Sequence, residues 1–143
     1  MYKIEKEPAY QLYQFTSFLY HNKNDDFFKS YDNQAIYRSI INRTYYSSYS
    51  MTEAWLFNNH GISINGPEYY KSIGEDIVSV HVQIRVHLED LNKKDISSKL
   101  YRLKEFRVKA DYSLYPNLNE DDLEQAIELM ECIVNELKDM DET

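Results

Sequence analysis

Three polar residues interrupt otherwise apolar helical stripes, and they are the residues that could do chemistry. Arg43 falls between Ile40 and Ser47, Arg107 between Leu103 and Ala110, and His81 between Ile77 and Ile84 if that stretch is helical. A charge on a core-facing stripe is costly unless it is paired, so each needs a reason. An arginine can hold a phosphate, and a histidine can move a proton near neutral pH. The plainer reading of Arg107 is a salt bridge: Asp111 lies four residues on, on the same helical face. Arg43 reads as a packing residue in the same way, and a lone His81 reads first as a hydrogen-bonded core residue.

Other chemistries find little footing. There is no Gly-rich phosphate loop and no serine in a nucleophile elbow. His81 and His87 are six apart, on different faces of a helix. They would share a face of a strand, but no carboxylate joins them there, so no metal site is expected. Cys132 is the only cysteine, which excludes an internal disulfide, and its place in an apolar stretch predicts a core position. No cofactor is implied.

The elements that must position these residues follow from composition and periodicity. The chain has 143 residues with 43% hydrophobic and 28% charged residues, which fits one globular domain. It has three glycines and three prolines, too few for the many turns of a sandwich or barrel, so long helices are expected. Five segments carry the fold. The first runs from about Pro8 to Tyr20, with proline in the first turn. The polar stretch His21 to Asp32 reads as a loop pinned by Phe27 and Phe28. The second helix runs from about Gln34 to Asn58, capped by Asp32 or Asn33 and stopped at Gly61. Its small residues Ser47, Ser48 and Ser50 allow close helix approach.

The third segment, about Gly74 to Leu91, is ambiguous. Val78, Val80, Val82, Ile84, Val86 and Leu88 alternate as in a strand, while Ile73, Ile77, Ile84, Leu88 and Leu91 fit a helix. No second segment alternates to pair with it, so helix is the expectation. The fourth helix runs from about Ile96 to Tyr115, ahead of Pro116, with the stripe Ile96, Leu100, Leu103, Ala110 and Leu114. The fifth is capped by Asn119. Its stripe is Leu123, Ile127, Met130, Val134 and Leu137, with Glu124, Glu128, Glu131 and Lys138 outside it.

The formal net charge is −8, so no basic surface for nonspecific nucleic-acid binding is expected. Fourteen tyrosines either fill the edge of the core or serve a wet interface. No signal-peptide pattern follows Met1, and no apolar run reaches membrane-spanning length, so a cytoplasmic protein off the membrane is expected.

Two short motifs resemble a known family. Asn42-Arg43-Thr44-Tyr45-Tyr46-Ser47-Ser48-Tyr49 resembles the R-x-Y-Y-x-x-F signature on the second helix of HEPN proteins, followed by a short helix and a glycine, here Gly61. Phe106-Arg107-Val108-Lys109-Ala110-Asp111-Tyr112 resembles the R-x-x-A-D-Y signature of small stand-alone HEPN proteins. The amphipathic closing helix with Ala126 is similar too, and the resemblance covers about residues 33–138. It implies an all-α, HEPN-like antiparallel bundle of about five helices that forms a homodimer. Many HEPN proteins are metal-independent ribonucleases. They are often toxins partnered by minimal nucleotidyltransferases, or effectors of antiphage defence, and they use an R-x(4–6)-H motif at the dimer interface.

Here the pattern is broken. No arginine has a histidine five to seven residues downstream, and Tyr112 stands where Arg107 calls for one. Tyrosine, with an ordinary pKa of about 10, is a poor proton shuttle at neutral pH. The leading expectation is a non-catalytic or weakly catalytic module in which Arg43, Tyr46, Arg107, Asp111 and Tyr112 bind an RNA or nucleotide phosphate or hold the bundle together. Its partner would be a second copy or a nucleotidyltransferase-type protein. A second reading is a ribonuclease with Arg107 as clamp and Tyr112 or His81 as acid and base. A third is a structural helical adaptor.

Overall fold

The computed structural model describes residues 2–112 and 118–141, the side chains of Tyr112 and Asp141 excepted. Six α-helices and no strand occur among the described residues: α1 (Pro8–His21), α2 (Asn33–His60), α3 (Pro67–Ile73), α4 (Val80–Asp90), α5 (Lys94–Tyr112) and α6 (Glu120–Asp141). The protein is an all-α helical bundle. None of these helices is long and apolar enough to cross a membrane.

α2 is the central element, packed by α1, α5 and α6. Its start is fixed by Asp32, whose side chain accepts the Gln34 N–H at 2.7 Å. Its end is fixed by Gly61 at φ +66°, a left-handed conformation that glycine adopts without strain. A helix surrounded on several sides cannot be simply amphipathic, and α2 buries Thr44, Ser47, Ser48 and Thr52 among its apolar residues. These hydroxyls stay satisfied by bonding carbonyls one turn back, as Ser48 does to Thr44 and Thr52 to Ser48. Ser47 lies 3.3 Å from the Met130 sulfur, so small residues do let α6 approach α2.

α6 behaves as its sequence predicts. Asn119 accepts the Asp122 N–H at 2.9 Å while Asp122 accepts the Asn119 N–H at 3.1 Å, a reciprocal cap that satisfies two orphan donors. Leu123, Ile127, Met130, Val134 and Leu137 are buried. Cys132 is a correction: it is exposed, because it falls off this arc while Ile133 beside it takes the core position. Phe27 is another. It is 74% exposed, whereas its neighbour Phe28 is half-buried.

The ambiguous third segment is helical from Val80 to Asp90, and Ser79 caps it by accepting the Val82 N–H. Its alternation resolves into a helix with Ile84 and Leu88 buried and Val82 and Val86 turned to solvent. Ile73 and Ile77 do not join the core stripe, since Ile77 precedes the helix and both are about half exposed. Gln83 fixes the segment further. Its amide pairs with both the N–H and the C=O of Asn65 at 2.8 Å and also donates to Val78 O at 2.9 Å. The short α3 lay outside the five expected segments; Pro67 starts it and Gly74, at φ +71°, ends it.

α5 buries Ile96, Leu100, Leu103, Arg107 and Ala110 at helical spacing. Its expected run to Tyr115, with Leu114 in the stripe, lies outside the described residues. Several tyrosines take the core-edge role: Tyr10, Tyr13, Tyr20, Tyr37 and Tyr49 pack half-buried against the core.

Candidate functional site

α2, α4 and α5 bring Arg107, Asp111, Tyr46 and His81 together around one ring, that of Tyr45. Arg107 is only 9% exposed. Its Nη1 donates to Asp111 Oδ2 at 3.5 Å and to the Tyr46 hydroxyl at 3.3 Å. The guanidinium carbon lies 5.3 Å from the Tyr45 ring centre and 5.7 Å from that of Tyr46, within cation–π range. Asp111 is held from the other side by Asn42, whose amide donates to both carboxylate oxygens at 3.1 Å. The salt bridge foreseen between Arg107 and Asp111 is therefore the inner part of a larger cross-helix cluster. The Arg107 Nε is buried without a hydrogen-bond partner among the described residues, a residual cost of placing a guanidinium here.

His81 approaches from α4. Its Nδ1 is hydrogen-bonded to the Tyr45 hydroxyl, and its ring packs on those of Tyr45 and Tyr49. Burial lowers the His81 pKa, and the positive charges of Lys104 and Arg107 push the same way. Burial raises the Tyr45 pKa against the opposing pull of Arg107. The Tyr49 hydroxyl is pushed up to about 12, by burial and then by Glu53. Both partners of the Tyr45–His81 bond are thus neutral at pH 7. The phenol is the better donor and the imidazole the better acceptor, so Tyr45 donates to Nδ1 and the ring proton sits on Nε2.

This arrangement is poor in free chemistry. The imidazole nitrogen facing the cluster is occupied, and Arg107 stacks on Tyr45 while its Nη1 is engaged by Asp111 and Tyr46. Arg43 does not join the cluster. It donates to its own helix at Ser39 O, 3.2 Å away, and lines an open depression with Arg38 and with Asn42 and Asp111 from the outer side of the cluster. The Tyr112 side chain lies outside the described residues. No group of three or more His, Cys, Asp or Glu side chains among the described residues is arranged to hold a metal ion.

Sequence reasoning chose Tyr46 and passed over Tyr45 and Asn42, although all three lie in one motif. Tyr45 follows Ile41 by four residues and shares its buried face, which is the signal that was available.

The histidine gives a pH prediction. Its folded pKa lies below the unfolded value of about 6.5, so below that pH the unfolded chain binds more protons than the folded one. Stability is therefore highest with His81 neutral and falls as pH drops through about 6.5. Urea unfolding across this range should show the loss in the wild type and a flatter profile in His81→Gln. Equal pH slopes in the two proteins would remove His81 as the cause.

The fold and the cluster define an all-α bundle with a buried arginine–tyrosine–carboxylate group at its α2–α5 seam. No protein-family model matches the chain, and no curated protein or solved structure matches it significantly.

Proposed function

We propose that this chain is a non-catalytic HEPN-like module of a bacterial toxin–antitoxin or antiphage-defence assembly. In this reading it works in the cytoplasm, in an RNA- or nucleotide-related system, as a homodimer or beside a nucleotidyltransferase-type partner. The observation that supports the non-catalytic part is the burial of Arg107 in contact with Asp111, Tyr45 and Tyr46. A phosphate clamp needs guanidinium donors open to the ligand. Here Arg107 and Asp111 serve as a lock between α2 and α5.

The ribonuclease reading needs an imidazole free to exchange protons beside an open arginine. The second condition does not fit an Arg107 packed between rings, and His81, its Nδ1 taken by Tyr45, has only Nε2 left for proton exchange. The purified protein is expected to leave a mixed-sequence RNA uncut in the absence of any partner, as judged by denaturing gels. Clean cleavage that disappears in His81→Ala or Tyr112→Phe would reverse the proposal and restore the enzyme.

A further inference from the structure

Some cations of this acidic chain are neutralised in place, as Lys23 is by Glu120, Lys109 by Asp122 and Arg107 by Asp111. Arg43 is different. Its one hydrogen bond among the described residues goes to the Ser39 carbonyl, and no carboxylate among them lies within ion-pair distance. It stands at the rim of an apolar groove of about 270 Å³ between α1, the 26–28 turn and the first half of α2. Leu19, Ile36 and Ile40 line the groove, with the aromatic rings of Phe15 and Phe28. Aromatic side chains beside an arginine are the composition of protein contact sites.

The same chain carries a segment of matching chemistry. Ile73 closes α3, Gly74 turns the backbone at φ +71°, and Glu75, Asp76, Ile77 and Val78 lead into α4. All six residues are exposed. No cation among the described residues lies within ion-pair distance of Glu75 or Asp76. Exposed isoleucines flanking two unpaired carboxylates complement an apolar groove rimmed by an unpaired guanidinium. We propose that the 73–78 segment of one copy docks in the α1–α2 groove of a second copy. Ile73 or Ile77 fills the groove, and Glu75 or Asp76 meets Arg43. The contact joins two different patches, so it closes as a pair only when both copies exchange segments, and otherwise extends as a chain of copies. This inference gives a location to the self-association proposed above and rests on it.

Sedimentation velocity of the full chain over a micromolar concentration series tests the docking. The wild type should self-associate. Arg43→Glu and the double variant Glu75→Lys/Asp76→Lys should each weaken association about tenfold or more, because each places like charges face to face. Mixing the two variants should restore association, since each groove then meets a segment of opposite charge. Circular dichroism checks that both variants keep the wild-type helicity, and Arg43→Gln replaces the reversal if Arg43→Glu does not. A wild type that stays monomeric overturns both this inference and the homodimer. Association that survives both variants, or a mixture that does not recover, overturns the docking alone and leaves a dimer built on another face.

Discussion

Arg107→Ala is expected to destabilise the protein by about 2–3 kcal/mol, lowering the melting temperature by roughly 5–10 °C. The truncation removes the cation from Asp111 and the stacking partner from Tyr45 and Tyr46. Breaking a fully buried ion pair from one side costs more, about 3–5 kcal/mol. The smaller figure applies because the Asp111 side chain is 28% exposed and keeps both hydrogen bonds from Asn42. Solvent and Asn42 together take over part of what Arg107 supplied. Asp111→Asn should cost less than Arg107→Ala, since it retains an acceptor for both neighbours. Thermal or urea unfolding of the two variants checks this order.

Leu103→Ala, one turn earlier on the same face of α5, is expected to cost about 3 kcal/mol. Leu103 is fully buried, and its loss leaves a cavity that the α2–α5–α6 packing closes only in part. The comparison is informative because the two residues occupy equivalent core positions with opposite chemistry. An Arg107→Ala cost close to that of Leu103→Ala marks Arg107 as a core residue that happens to be charged. A cost near zero beside a full cost at Leu103 marks an arginine turned toward a ligand.

What could be read from the sequence follows from how local each feature is. The Arg107–Asp111 pair was legible because both residues sit one turn apart on a single helix, where spacing alone sets the distance. The α6 stripe and its Asn119 cap were legible for the same reason. Asn42, Tyr45 and Tyr46 reach that pair from α2, more than sixty positions away, through the rotation of one helix against another. No periodicity encodes that rotation. His81 could be suspected but not placed, because its host segment alternates like a strand, and the cap at Ser79 and the clamp of Gln83 on Asn65 decide in favour of helix. Cys132 was misplaced by treating every apolar residue on α6 as part of one arc. Ile133 takes the core position because it stands about 100° further round the helix than the solvent-facing Cys132.

Val82 and Val86 have strand propensity and no core to enter, yet they remain in a helix. The packing of Ile84 and Leu88 on the bundle outweighs a per-residue preference of a fraction of a kcal/mol.

Arg107 is either a lock between helices or a phosphate holder. Melting of the wild type and Arg107→Met, each with and without a mixed-sequence RNA oligonucleotide, separates the two. Methionine keeps much of the side-chain volume and removes the charge. A lock predicts that Arg107→Met melts below the wild type and that RNA shifts both proteins by the same amount, including no shift at all. An Arg107→Met protein that melts at or above the wild type, and that loses a stabilisation by RNA which the wild type shows, would contradict it.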